Sequence, residues 1–189
     1  MVEHAEPIWL VLDGYEDEPA AFGVPPYVGF HVRYLCGVLE QHGIEYHYMT
    51  IDQWRNFIRE QGSKGIVELM RRVIGFAGIA GAVVPGKYLR GTPVSTNEIA
   101  EILRHLPAEV PAILGGWAIR GWKQQGWNPL RKNLFLAVQD TDASLDNFLK
   151  TGNWRNYRRT AEQWTDWAHN GARSKAVTLH PDLGSVDTS

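Results

Sequence analysis

Ile8-Trp-Leu-Val-Leu12 is an unbroken apolar run closed by Asp13-Gly14, the pattern of a strand buried on both faces. After a stretch bearing Gly and Pro, Val28, Val32, Leu35, Cys36 and Leu39 fall at helical spacing, and His42-Gly43 supplies the stop. Ile44 to Ile51 alternates Tyr46 and Tyr48 with polar residues, which predicts a second strand nearer the sheet edge. From Asp52 to Ile74, the positions Trp54, Phe57, Ile58, Ile66, Leu69, Met70, Val73 and Ile74 suit helix, with Gly62 and Gly65 breaking it in two. Ile79 to Val84 then reads as a third strand, followed by a loop from Pro85 to Val94.

Ser95-Thr-Asn-Glu98 has the spacing of a capping box, and it opens a helix with Ile99, Ile102, Leu103 and Leu106 on one face. Ala112-Ile-Leu114 before Gly115-Gly116 predicts a fourth strand, Leu134 to Val138 a fifth, and Asp142 to Leu149 a closing helix that Gly152 ends. Buried strands alternating with helices predict an α/β fold: a doubly wound, Rossmann- or flavodoxin-like five-stranded parallel sheet. That domain covers 1–152. The remaining 153–189 form a helical extension and polar tail, with a second capping box at Thr160-Ala-Glu-Gln163 and a short helix bearing Trp164 and Trp167. Trp154, Tyr157, Trp164 and Trp167 need a partner surface unless they pack on their own domain.

The chain has 189 residues, 44% of them apolar, enough for one domain with a core of its own. Nineteen Lys and Arg against twenty-one Asp and Glu give a net charge of −2, so there is no overall basic field to attract nucleic acid. Met1 to Pro7 lacks a charged region followed by a long apolar stretch, and no run nears the roughly 20 residues that span a bilayer. The expectation is a soluble, cytoplasmic protein without membrane or nucleic-acid partners. Cys36 is the single cysteine. It allows no intrachain disulfide, thiolate zinc knuckle or three-cysteine iron–sulfur cradle. Its place on the apolar stripe with Val32 and Leu39 marks it as a small hydrophobe rather than a nucleophile.

Doubly wound sheets bind ligands beyond the carboxyl ends of their strands. The loops to weigh are therefore Asp13 to Tyr27, Pro85 to Val94, Gly115 to Trp127 and Gln139 to Thr141. The first crowds Asp13, Glu16, Asp17 and Glu18 together, a set able to bind a cation or raise a carboxylate pKa, or simply to be solvated. The second brings Lys87, Tyr88 and Arg90 beside Gly86, with the means to hold an anion. In the third, Gly115 and Gly116 permit close approach, and Trp117 offers an indole to a planar ring. The spacing of Trp117, Trp122 and Trp127 by five fits a packed irregular loop or a protein interface. The cofactor-facing candidates are Gly14, Tyr15, Gly86, Lys87, Tyr88, Gly115, Gly116 and Trp117, and the catalytic candidates Asp13, Glu16 and Asp17. Gly-x-Gly-x-x-Gly, Gly-x-Ser-x-Gly and His-Glu-x-x-His are absent, and the seven histidines form no local metal-ligand pair. His31 and His47 read as ordinary polar positions.

Ile8 to Tyr27, His31-Val-Arg-Tyr34 and Gly115-Gly116 together resemble the N-terminal cobalamin-binding-like domain of radical S-adenosylmethionine proteins found chiefly in archaea. The resemblance runs from about Ile8 to His180. In that family the segment similar to Tyr157–Gly171 leads into a barrel whose three clustered cysteines hold a 4Fe–4S cluster, a motif absent from these residues. The resemblance thus implies an accessory domain or subunit with no iron–sulfur cluster or radical chemistry of its own. It would pair with a separate radical S-adenosylmethionine subunit and contribute a cofactor or substrate surface, with cobalamin as the implied cofactor. Asp-x-His-x-x-Gly, whose histidine replaces the lower base of cobalt in many cobalamin proteins, is missing. Two alternatives stay open. One is a self-sufficient small-molecule enzyme using the acidic loop as base and Lys87 or Arg90 to hold an anionic substrate. The other is a flavodoxin-like sensor.

Overall fold

The computed structural model of the chain describes residues 6–14, 30–81, 93–127, 129 and 131–172. Its strands are β1 (Ile8–Asp13), β2 (Tyr46–Thr50), β3 (Val73–Ile79), β4 (Ala112–Gly115) and β5 (Leu134–Leu136). All pair in parallel in the order β2-β1-β3-β4-β5. The helices are α1 (Phe30–Gln41), α2 (Ile51–Met70), α3 (Thr96–His105), α4 (Ala118–Gln124), α5 (Thr141–Thr151) and α6 (Ala161–Ala172).

Every residue of β1 is buried, because helices cover both faces of the sheet. Ile8, Leu10 and Leu12 point into one core with Trp54 and Met70 of α2, Ile99 and Ile102 of α3 and Ile119 of α4. Trp9 and Val11 point into the other, with Leu35 and Leu39 of α1, Leu145 of α5 and Trp167 of α6. This is the doubly wound α/β architecture expected from the sequence. The strand order reverses between β1 and β3, which places the switch point at the carboxyl ends of those strands. No helix among the described residues is long and apolar enough to cross a membrane.

Two elements differ from the sequence expectation. The third strand is Val73–Ile79, not Ile79 to Val84. Register explains the shift: Val73 pairs with Ile8 and Ile79 with Asp13, so β3 ends level with β1. Residues 51–70, by contrast, form two helical stretches joined at a kink where Gly62 takes a non-helical φ of 58°, as expected. The segment after β4, expected as irregular, contains the helix α4, anchored by fully buried Ile119.

The extension lies on the domain. Trp154 stacks on Phe148 at 3.8 Å and on Phe135 at 5.5 Å. Trp167 is 1% exposed, and its Nε1 donates to Gln41 Oε1 of α1 at 2.6 Å. Trp164 and Tyr157 remain open to solvent.

Candidate functional site

Asp13 ends β1 buried, and the Tyr48 hydroxyl donates to its Oδ2 at 3.4 Å. Gly14 follows, donating its N–H to Ile79 O at 2.8 Å and accepting from Val94 N at 2.9 Å. A Cβ there would lie 2.2 Å from Ile79 O, so the close approach it permits is to β3 itself. A Cβ on Gly115 would meet Thr141 Oγ1, which already fills that space. Gly116 has φ +104°, a conformation that disfavours other residues, and a Cβ there would lie 2.4 Å from Ala80 O. That turn releases the chain from β4 and leaves Trp117 72% exposed at the rim.

A pocket of about 250 Å³ opens beside it at the carboxyl ends of β4 and β5. Gly116, Trp117 and Arg120 form one wall, residues 137–141 the base, and His31 and Arg158 the remaining sides. The base is tied down on two sides. Val138 O accepts from Arg120 Nη2 at 3.0 Å, and Val138 N donates to Asn156 Oδ1 at 2.9 Å. Asp140 N in turn donates to Tyr157 O at 3.1 Å. The extension therefore shapes the pocket as well as covering the core.

Behind Asp140 lies an ion cluster. Arg159, almost wholly buried, donates its backbone N–H to Asp140 Oδ2 at 2.9 Å and its Nη2 to Oδ1 at 3.2 Å. Its Nε sits 3.2 Å from Asp142 Oδ2, and its guanidinium lies over the rings of Tyr34 and Trp164 at 4.2 and 4.9 Å. Burial pushes the Asp142 carboxyl up to about 7 against the opposing pull of Arg159. Burial and then the Arg159 charge hold the His31 imidazole below its usual value, with Asp140 acting the other way.

Of the sequence candidates, Gly116 and Trp117 line this pocket, whereas Asp13, Gly14 and Gly115 are not among its lining residues. Tyr15, Glu16, Asp17, Gly86, Lys87, Tyr88 and Arg90 lie outside the described residues. Arg120 and Asp140 fall in loops that the sequence singled out without naming them as candidates, Arg158 was missed, and His31 was taken for an ordinary polar position preceding a helix. In the structure His31 belongs to the first turn of α1. Among the described residues, no group of three or more His, Cys, Asp or Glu is placed to hold a metal ion.

The donor set suits the periphery of a corrinoid: two guanidinium groups for amide or phosphate oxygens and an open indole for an apolar edge. The volume lies just under the roughly 300–1,000 Å³ of whole small-molecule sites, too small for a corrin macrocycle within the described walls.

Strand order and rim define a flavodoxin-like α/β domain with a pocket at its ligand-facing edge. No family model matches the chain. It is 32% identical over 185 residues to an uncharacterized protein of Methanocaldococcus jannaschii, covering 92% of this chain and 32% of that protein. An uncharacterized protein of Archaeoglobus fulgidus is 42% identical over 89 residues, 47% of this chain and 16% of that protein. The chain thus spans about a third or less of the length of these relatives. Among solved structures it is similar to the radical S-adenosylmethionine methyltransferase TsrM from Kitasatospora setae. With a tryptophan substrate and an S-adenosylmethionine analogue bound, that structure matches at 15% identity and a TM-score of 0.46, over 82% of this chain and 27% of that one. With cobalamin and a 4Fe–4S cluster bound, it matches at 14% identity and the same TM-score, over 83% and 26%.

Proposed function

We propose that this chain is a cobalamin-binding-like domain that seats a corrinoid at the carboxyl edge of its sheet and serves a radical S-adenosylmethionine barrel located elsewhere. The observation that carries the reading is the pocket at the ends of β4 and β5, walled by an open indole and two arginines. The sequence resemblance from Ile8 to His180 supports it. Trp117 and Arg120 would receive the corrinoid from the α4 side, and Arg158 and His31 from the side of α1 and the extension. A bound corrinoid supplies a cobalt centre able to carry an alkyl group. The chain's own residues do the positioning. Gly116 turns Trp117 outward, the Arg120 bond to Val138 fixes the pocket base, and His31 brings an imidazole to the side of α1.

Titrating the purified protein with hydroxocobalamin and following visible absorbance and calorimetric heat tests this. Saturable one-to-one binding that Trp117→Ala weakens supports the reading. Absence of binding to the intact protein overturns it.

A further inference from the structure

The pocket's charge is unbalanced. Arg158 is exposed, with no ion-pair partner among the described residues, and Arg120 spends only one N–H, on Val138 O. Asp140, the one carboxylate in the lining, is already held by the backbone and side chain of Arg159. Its charge is therefore met from behind the pocket. Thr141, the first residue of α5, also lines the pocket, and the capping residue Asp140 makes no side-chain bond to the helix start. The first turn of that helix is already met by its own buried Asp142 carboxyl, which accepts from the backbone N–H groups of Asp142 and Ala143, so the charge left unanswered in the pocket is that of the two arginines.

We propose that this pocket is a phosphate-binding site, with Arg158 and Arg120 as the charged donors and the His31 ring beside them. Two sources share that chemistry: the nucleotide tail of a corrinoid and a free phosphorylated small molecule. The first source rests on the function proposed above; the site itself does not. Trp117, standing over the opening, suits a phosphate that carries a planar or apolar group.

Calorimetry separates the possibilities, using inorganic pyrophosphate, cobalamin, and cobinamide, the corrinoid that lacks the nucleotide tail. The variants are Arg158→Gln, whose side chain holds nothing else among the described residues, and Arg120→Gln. Pyrophosphate binding weakened about tenfold or more in each variant is the expected result. Cobalamin weakened alike while cobinamide is unchanged assigns the phosphate to the nucleotide tail. Pyrophosphate bound with cobalamin not bound assigns it to a free phosphorylated molecule, keeps the site and removes the corrinoid reading. Failure of the intact protein to bind pyrophosphate, or binding indifferent to both substitutions, overturns the proposal. Arg158→Lys, which keeps charge but loses the planar fork, is expected to restore part of the affinity.

Discussion

Asp142 shows how a residue's environment outweighs its type. It is 2% exposed, and burial lifts its carboxyl from 3.8 to about 7 although Arg159 stands beside it. A carboxyl raised in the folded state binds more protons than in the unfolded chain between those values, so stability falls as pH rises from 3.8 towards 7. Urea midpoints across that window are expected to decline with pH in the wild type and to decline less in Asp142→Asn. Cys36 belongs to the same class of effect. Full burial pushes its thiol up, so Ellman's reagent is expected to leave it untouched in the folded protein and to titrate it on unfolding. Burial of Cys36 was legible from its stripe, and Gly116 and Trp117 from their place after a buried run. Arg120, Arg158 and His31 were not. They come from three distant segments, and no local spacing records a pocket assembled by the fold.

Elements were legible where pattern and capping agreed and illegible where glycine erased the pattern. The Ser95–Glu98 capping box forms as expected, Glu98 N donating to Ser95 Oγ at 3.2 Å and Ser95 N to Glu98 Oε2 at 2.8 Å. In β3, by contrast, Gly75 and Gly78 carry no side chain to mark alternation, and Val73-Ile74 continue the apolar spacing of α2. A helical reading therefore ran past the true boundary at Met70. Gly75 has its own reason, since the Trp9 ring of the neighbouring strand lies where a Cβ would project. The end of α3 holds a dependence that no motif announces. Arg131 donates through Nη1 to Leu103 O at 3.0 Å and Leu106 O at 3.1 Å, and through Nη2 to Val110 O at 2.9 Å. One guanidinium thus satisfies a carbonyl of the last helical turn, that of the C-cap residue Leu106, and those of Pro107 and Val110 in the loop beyond. Arg131→Ala is expected to cost about 2–3 kcal/mol in denaturant unfolding, with Arg131→Lys recovering only part because it cannot fork.

At the scale of the molecule, the decisive question is whether the 153–172 segment is an appendage or part of the fold. The stop at Gly152 after the closing helix marks it as an extension, because a short helix with two tryptophans looks unpartnered when only its own sequence is in view. Packing places Trp167 over α1, where a Cβ on Gly37 would sit 2.4 Å from the Trp167 carbonyl oxygen. The two helices meet backbone to backbone. The same segment supplies Trp154 to the α5 face and Asn156 to the pocket base. An indole this buried costs about 3–5 kcal/mol when cut to alanine. Trp167→Ala is therefore expected to lower stability by that amount, and Gly37→Ala to lower it by forcing α1 and α6 apart. Both are read from urea unfolding followed by far-ultraviolet circular dichroism. If the segment is integral, the wild type unfolds in one transition seen identically by circular dichroism and tryptophan fluorescence, and a chain truncated after Gly152 loses both stability and the pocket's ligand affinity. Two separated transitions, or a truncated chain as stable as the whole, would instead make α6 a detachable arm.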